Sequence, residues 1–280
     1  MDEWIKPGRR REFVLTVLGE GGSYPVTHLR VRDAFYRADD SIVYSVVPWE
    51  PPNEYPSITE IAWTNLGNVR WWGALAFSIV EGEGFYSFYP KASKSLYMAD
   101  LNEASIHGIA ERTAAAASRE SRPPYCDQVE LHWIKPLNGE ISKLYEALQA
   151  ADNVLLRGVN CYLKSHLLWR HHLFAEEMAI NLYIALEAAL VTLRRRLSKS
   201  AGRDVSYDAV FDFVRETFAY GEALTEYWRD VYDDRTMLLH PDNRIGSHAI
   251  PPLSADDVLE LFDPMLSLYR FVLIGKARPA

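Results

Sequence analysis

Near residue 140 the hydrophobic pattern of this chain changes from short runs broken by turns to long stretches with a helical period. That change constrains the fold more than any single motif. Before it, Phe13–Leu18, Ile42–Val47, Ile58–Trp63 and Ala74–Val80 are short apolar or alternating runs, which predict strands. Gly21-Gly22, Pro51-Pro52, Leu66-Gly67-Asn68 and Glu81-Gly82-Glu83-Gly84 separate them as turn signals. Aromatic residues gather in the same region, Trp49, Trp63, Trp71, Trp72 and Phe85 among them, and predict a sheet core with aromatic cross-strand pairs. A base-stacking surface would use the same residue types.

A helix is expected over 102–121, carried by Ala114–Ala117 and stopped at Pro123-Pro124, and Val129–Ile134 reads as a further strand. Beyond residue 140, helices are expected at about 140–151, 154–173, 175–199, 206–220, 222–240 and 255–275. The clearest is the third, where Ala179, Leu182, Leu186, Leu190, Leu193 and Leu197 form one apolar stripe. Ser206 fits a helix start. Ser254 fits another, with Asp256-Asp257 in the first turn behind it. The fold class is therefore α+β. A β-rich sensor or regulatory domain is expected over 1–125 and a helical bundle over 140–280.

The length of 280 residues suits two modest domains, or one large one, and 48% apolar residues supply a core. No apolar run is long enough to span a bilayer, and Met1–Pro7 lacks the pattern of a secretory signal, so a cytoplasmic protein without membrane attachment is expected. Cys126 and Cys161 form no CxxC pair, which argues against a disulfide framework and against structural zinc. No cofactor and no metal is expected. A net charge of −8 disfavours a broad duplex-binding surface, but leaves room for a small cleft that grips one phosphate.

Within the helical half, Arg235-Thr236-Met237-Leu238-Leu239-His240 sets an arginine and a histidine five residues apart, ahead of Pro241-Asp242-Asn243-Arg244. On a regular helix such residues point about 140° apart, so they converge only around a helix end. Pro241 favours such an end at His240, because the residue before proline avoids helical geometry. The pair suits RNA cleavage without metal or protein nucleophile. The 2′-hydroxyl is the nucleophile, an imidazole moves protons near neutrality, and a guanidinium fork holds two phosphoryl oxygens. The same residues also suit a solvated face, with Arg235 paired to Asp230, Asp233 or Asp234 and His240 serving the helix dipole.

The order of Tyr183–Leu190, Tyr227–Asp234 and the Arg235–His240 pair resembles the HEPN superfamily, in the branch with an "ALEALL" helix followed by "LYxxRxxxxH". The resemblance covers about 140–276 and leaves the N-terminal half without a family. It implies a helical bundle that pairs as a homodimer, with the Arg-x4-His motifs of both subunits lining one metal-independent ribonuclease cleft. It further implies an RNA substrate and a place in toxin–antitoxin or phage-defence systems, with an antitoxin or defence partner protein.

Arg235 and His240 are then the catalytic pair, supported by Glu187, Asp234 and Thr236. Two departures from the family pattern are Asp242, where a subgroup modified by its antitoxin carries tyrosine, and Thr236, where asparagine is common. A non-catalytic HEPN domain that binds a nucleotide or mediates assembly is the alternative. Glu187 is expected to orient Arg235, or else to lie on an exposed helix face. Two basic stretches, one running through Arg157, Lys164, His166, Arg170, His171 and His172 and the other Arg194-Arg195-Arg196, read as RNA guides or as solvated faces. Arg170, His171, Arg194, Arg195 and Arg244 are the RNA-contacting candidates.

Overall fold

The computed structural model describes residues 11–20, 27–39, 41–50, 65–78, 92–98, 102–117, 138–169, 175–218, 226, 229–230 and 261–276. The chain divides into two compact units, Met1–Tyr145 and Glu146–Ala280. Among the described residues the first carries a five-stranded antiparallel sheet and the second is helical, so the fold is α+β.

The sheet contains β1 (Arg11–Glu20), β2 (Thr27–Val31), β3 (Ala34–Ala38), β4 (Ile42–Pro48) and β5 (Ala92–Met98). Its order is β2-β3-β4-β1-β5, so β1 lies between β4 and β5. Alternation sends successive side chains of β1 to opposite faces. Phe13, Leu15 and Val17 join Phe35, Tyr44, Val46 and Leu96 in one apolar cluster. Ile106 and Ala110 of helix α2 (Glu103–Ala117) close that cluster. Thr16 and Ser45 face the other way, toward helix α1 (Leu66–Phe77). There the Asn68 amide donates to Thr16 Oγ1 at 3.4 Å and Trp72 Nε1 donates to Ser45 Oγ at 3.4 Å. Among the described residues the sheet thus has one helix on each face.

Helix α1 corrects two expectations. Leu66-Gly67-Asn68 is the first turn of a helix rather than a loop signal, and Ala74–Phe77 is helical rather than the start of a strand. Trp71 and Trp72 are therefore helix residues, not members of a cross-strand pair. The physical reason is burial on nearly every side. A helix covered all round carries a continuous apolar run, which hides the 3.6-residue stripe. Asn65 caps it by accepting from the Gly67 amide at 3.2 Å. At Gly67 a Cβ would stand 2.4 Å from the Pro48 carbonyl oxygen, so only glycine fits this approach.

The hairpin β2–β3 carries no turn signal along the chain, because its turn lacks glycine and asparagine. Val31 pairs with Ala34, leaving Arg32-Asp33 to turn, and Arg32 takes the left-handed backbone at φ 53°. Helix α2 is described as far as Ala117, and the Asn102 side chain accepts from the Ser105 amide at its start. The expected strands at 58–63 and 129–134 lie outside the described residues.

The next helices follow the sequence closely: α3 (Asn138–Gln149), within which the division between the units falls, α4 (Asn153–Trp169), α5 (Ala175–Ala201) and α6 (Tyr207–Phe218). Ser206 caps α6, its hydroxyl accepting from the Ala209 amide. Helix α7 (Phe262–Ile274) is described from a later start than residue 255, and Ser254 lies outside the described residues. It ends at Gly275, whose left-handed backbone (φ 70°) lets its amide reach the Phe271 carbonyl at 2.8 Å.

Candidate functional site

Helices α4 and α5 form the framework of the second unit and run antiparallel. Asp152, just ahead of α4, pairs with Arg195 near the end of α5, while Gly158 faces Ala185 and Ala188 in its middle. The segment Tyr183–Leu190 lies at this crossing. Ala185, Leu186, Ala188, Ala189 and Leu190 are buried, and Ile184 and Glu187 are half-buried. Its small residues have a mechanical use. A Cβ on Gly158 would stand 2.5 Å from Ala188 Cβ and 2.3 Å from Tyr269 Oη. Tyr269 of α7 donates to the Ala185 carbonyl at 2.7 Å, so three helices meet within one turn of α5.

Beyond α6, Glu226, Arg229 and Asp230 have helical backbone, as expected for the helix leading into the Arg-x4-His motif. Arg229 binds this stretch to α6. Its guanidinium lies 5.5 Å from the Phe211 ring centroid, and Nη2 stands 3.5 Å from Asp208 Oδ1. The motif pair Arg235 and His240 lies outside the described residues, as do Asp234, Thr236, Arg170, His171 and Arg244. Glu187, Arg194 and Arg195 are described. Glu187 is partly exposed, between the two alternatives that its position on an apolar helix raised.

The arginine triplet is engaged within the chain. Arg194 donates through Nε to the Val205 carbonyl at 2.6 Å and through Nη2 to Asp204 Oδ2 at 2.7 Å, and its guanidinium lies over Tyr207. Arg195 pairs with Asp152 at 3.0 Å. Arg196 donates to the Val272 carbonyl at the end of α7. The sequence offered no role for Asp152 or Asp204. An aspartate ahead of a helix was the available signal for Asp152, whose Oδ1 accepts from the Leu155 amide at 2.9 Å.

His166 departs from the first basic stretch. It is 8% exposed, with its ring 4.7 Å from Tyr162 and 4.2 Å from Phe262 between centroids, so it belongs to an aromatic core rather than to a solvated or RNA-facing strip. Burial also decides the chemistry of two nearby groups. It pushes the Cys161 thiol up, against the pull of Lys164 and Arg157, and it pushes the Tyr269 phenol well above its usual range. Neither is poised as a nucleophile or proton donor near neutrality. Among the described residues no group of three or more His, Cys, Asp or Glu side chains is arranged to hold a metal ion. No described helix is long and apolar enough to cross a membrane. Compared with protein-family models, curated proteins and solved structures, the chain matches none.

Proposed function

We propose that the second unit is a HEPN-like, metal-independent endoribonuclease in which Arg235 and His240 of two copies line one cleft. The observation that carries this reading is an ordered pair of features. The Tyr183–Leu190 segment sits at a close three-helix crossing, and Glu226, Arg229 and Asp230, which precede the motif in the chain, have helical backbone that Arg229 holds on α6.

In the reaction, the RNA 2′-oxygen bonds to the adjacent phosphorus and the bond from phosphorus to the 5′-oxygen breaks. His240 of one subunit takes the 2′-hydroxyl proton, and His240 of the other gives a proton to the departing 5′-oxygen. The Arg235 guanidinium groups hold the phosphoryl oxygens as charge builds. The products are a 2′,3′-cyclic phosphate and a 5′-hydroxyl. Glu187, Asp234 and Thr236 support the pair, and the β-rich unit senses a trigger or restrains the nuclease. A toxin or phage-defence effector fits this organisation.

The test uses full-length protein, labelled RNA and EDTA. Cleavage that survives EDTA and falls at least ~100-fold in both Arg235→Ala and His240→Ala supports the reading. Cleavage that requires Mg²⁺, or that persists in both variants, refutes it. RNA binding without cleavage points to the non-catalytic alternative.

A further inference from the structure

We propose that the end of the helical unit where α5 stops and α4 and α6 begin is a docking surface for the phosphate backbone of single-stranded RNA. The packing brings these three helix ends together. Asp152 ahead of α4 pairs with Arg195 of α5, and Arg194 of α5 holds Asp204 and Val205 ahead of α6. The cations at this pole are Arg194, Arg195, Arg196 and Lys199 in the last turns of α5 and Arg203 in the loop after it. Among the described residues, Asp152 pairs there with Arg195, Asp204 with Arg194 and Asp208 with Arg229, so the charges of Arg196, Lys199 and Arg203 are left over. A local excess of positive charge therefore stands in a protein whose net charge is −8.

Helix electrostatics does not account for the cluster. The C-terminal end of α5 favours Lys199. Exposed Arg203 lies in the loop after α5, beyond the turn that the helix dipole acts on. The salt bridges of Arg194 and Arg195 fix where their guanidinium groups sit, which makes the surface preorganised. A single strand suits a patch of this size better than a duplex, because fewer phosphates need to be met at once.

The choice of RNA rests on the ribonuclease reading, and the experiment separates the two. Full-length protein carrying His240→Ala, which binds without cutting, is titrated with fluorescein-labelled single-stranded RNA from 0.05 to 0.3 M salt. Adding Lys199→Ala and Arg203→Ala is expected to weaken binding about 25-fold at 0.1 M salt and to lower the salt slope by about 1.4, the share of two phosphate contacts on a single strand. A control pair in the first unit, Lys94→Ala with Lys143→Ala, is expected to leave both unchanged. Unchanged affinity and slope in the first pair, an equal loss in the control pair, or binding to anionic lipid vesicles in place of RNA would overturn the proposal. Patch-dependent binding by a protein that never cleaves RNA sinks the nuclease reading alone. Motif-dependent cleavage that is indifferent to the patch sinks this surface alone.

Discussion

Replacing Gly158 by alanine sets two physical effects of opposite sign against each other. Gly158 lies inside α4, where alanine is the better helix former by about 1 kcal/mol. On propensity alone Gly158→Ala stabilises. The packing says the opposite. The new methyl would lie 2.3 Å from Tyr269 Oη and 2.5 Å from Ala188 Cβ, both inside any real contact distance. Either α4 and α5 separate, or Tyr269 swings away and gives up its 2.7 Å bond to the Ala185 carbonyl. Overpacking of this kind costs about 1–3 kcal/mol. Loss of the buried hydrogen bond adds about 1 kcal/mol. After the propensity gain, the net expectation is a loss of about 2 kcal/mol. Urea unfolding followed by circular dichroism at 222 nm measures it, with Ala188→Gly/Gly158→Ala as the compensating double variant that recovers part of the loss. A Gly158→Ala protein as stable as the parent or more so would refute the close-crossing argument, because propensity would then have decided the sign.

Other consequences are equally checkable. Asn65→Ala removes an acceptor for the Gly67 and Glu50 amides and a donor to the Pro48 carbonyl, and is expected to cost about 2 kcal/mol in urea unfolding, whereas Asn65→Asp keeps the acceptor and most of the stability. Burial raises the Asp39 carboxyl, but hydrogen bonds from the Ser41 hydroxyl and amide and from the Ile42 amide outweigh it and lower its pKa from 3.8 to about 2. A depressed carboxylate stabilises the fold above its unfolded value and loses that contribution as pH falls through 3.8 toward 2, so Asp39→Asn is expected to flatten this part of the acid-unfolding curve. A curve unchanged by Asp39→Asn would contradict the assignment. Glu187→Gln is expected to lower RNA cleavage by at least ~10-fold while leaving the unfolding midpoint within the error of the parent. If cleavage is untouched, Glu187 has no part in the site.

Much of the fold was legible along the chain. The helices α3 to α6 were readable because half-buried helices keep a 3.6-residue stripe and because Ser206 is a recognisable cap. Strands β1 and β4 were readable as short apolar runs. Helix α1 was not, because burial on nearly all sides removed the polar positions that would have marked its period. The β2–β3 hairpin was not, because Arg32 turns in the left-handed region without the glycine that usually reports it. Of the candidate site, the sequence supplied the motif and the ALEAAL-like segment, which local pattern carries.

Residue order by itself determined the two-part organisation, the helical class of the C-terminal half and the spacing of Arg235 and His240, since these depend on neighbours along the chain. Tertiary structure alone decided which small residues matter, which basic residues are buried and where the remaining charge collects. Gly158 became a crossing point only when Ala188 and Tyr269 were brought against it. His166 left the basic strip only when Tyr162 and Phe262 enclosed it. Asp152 and Arg195, far apart in sequence, meet at one pole because α4 and α5 pack antiparallel. Packing and electrostatics act through space, so these properties stay hidden until the chain has folded.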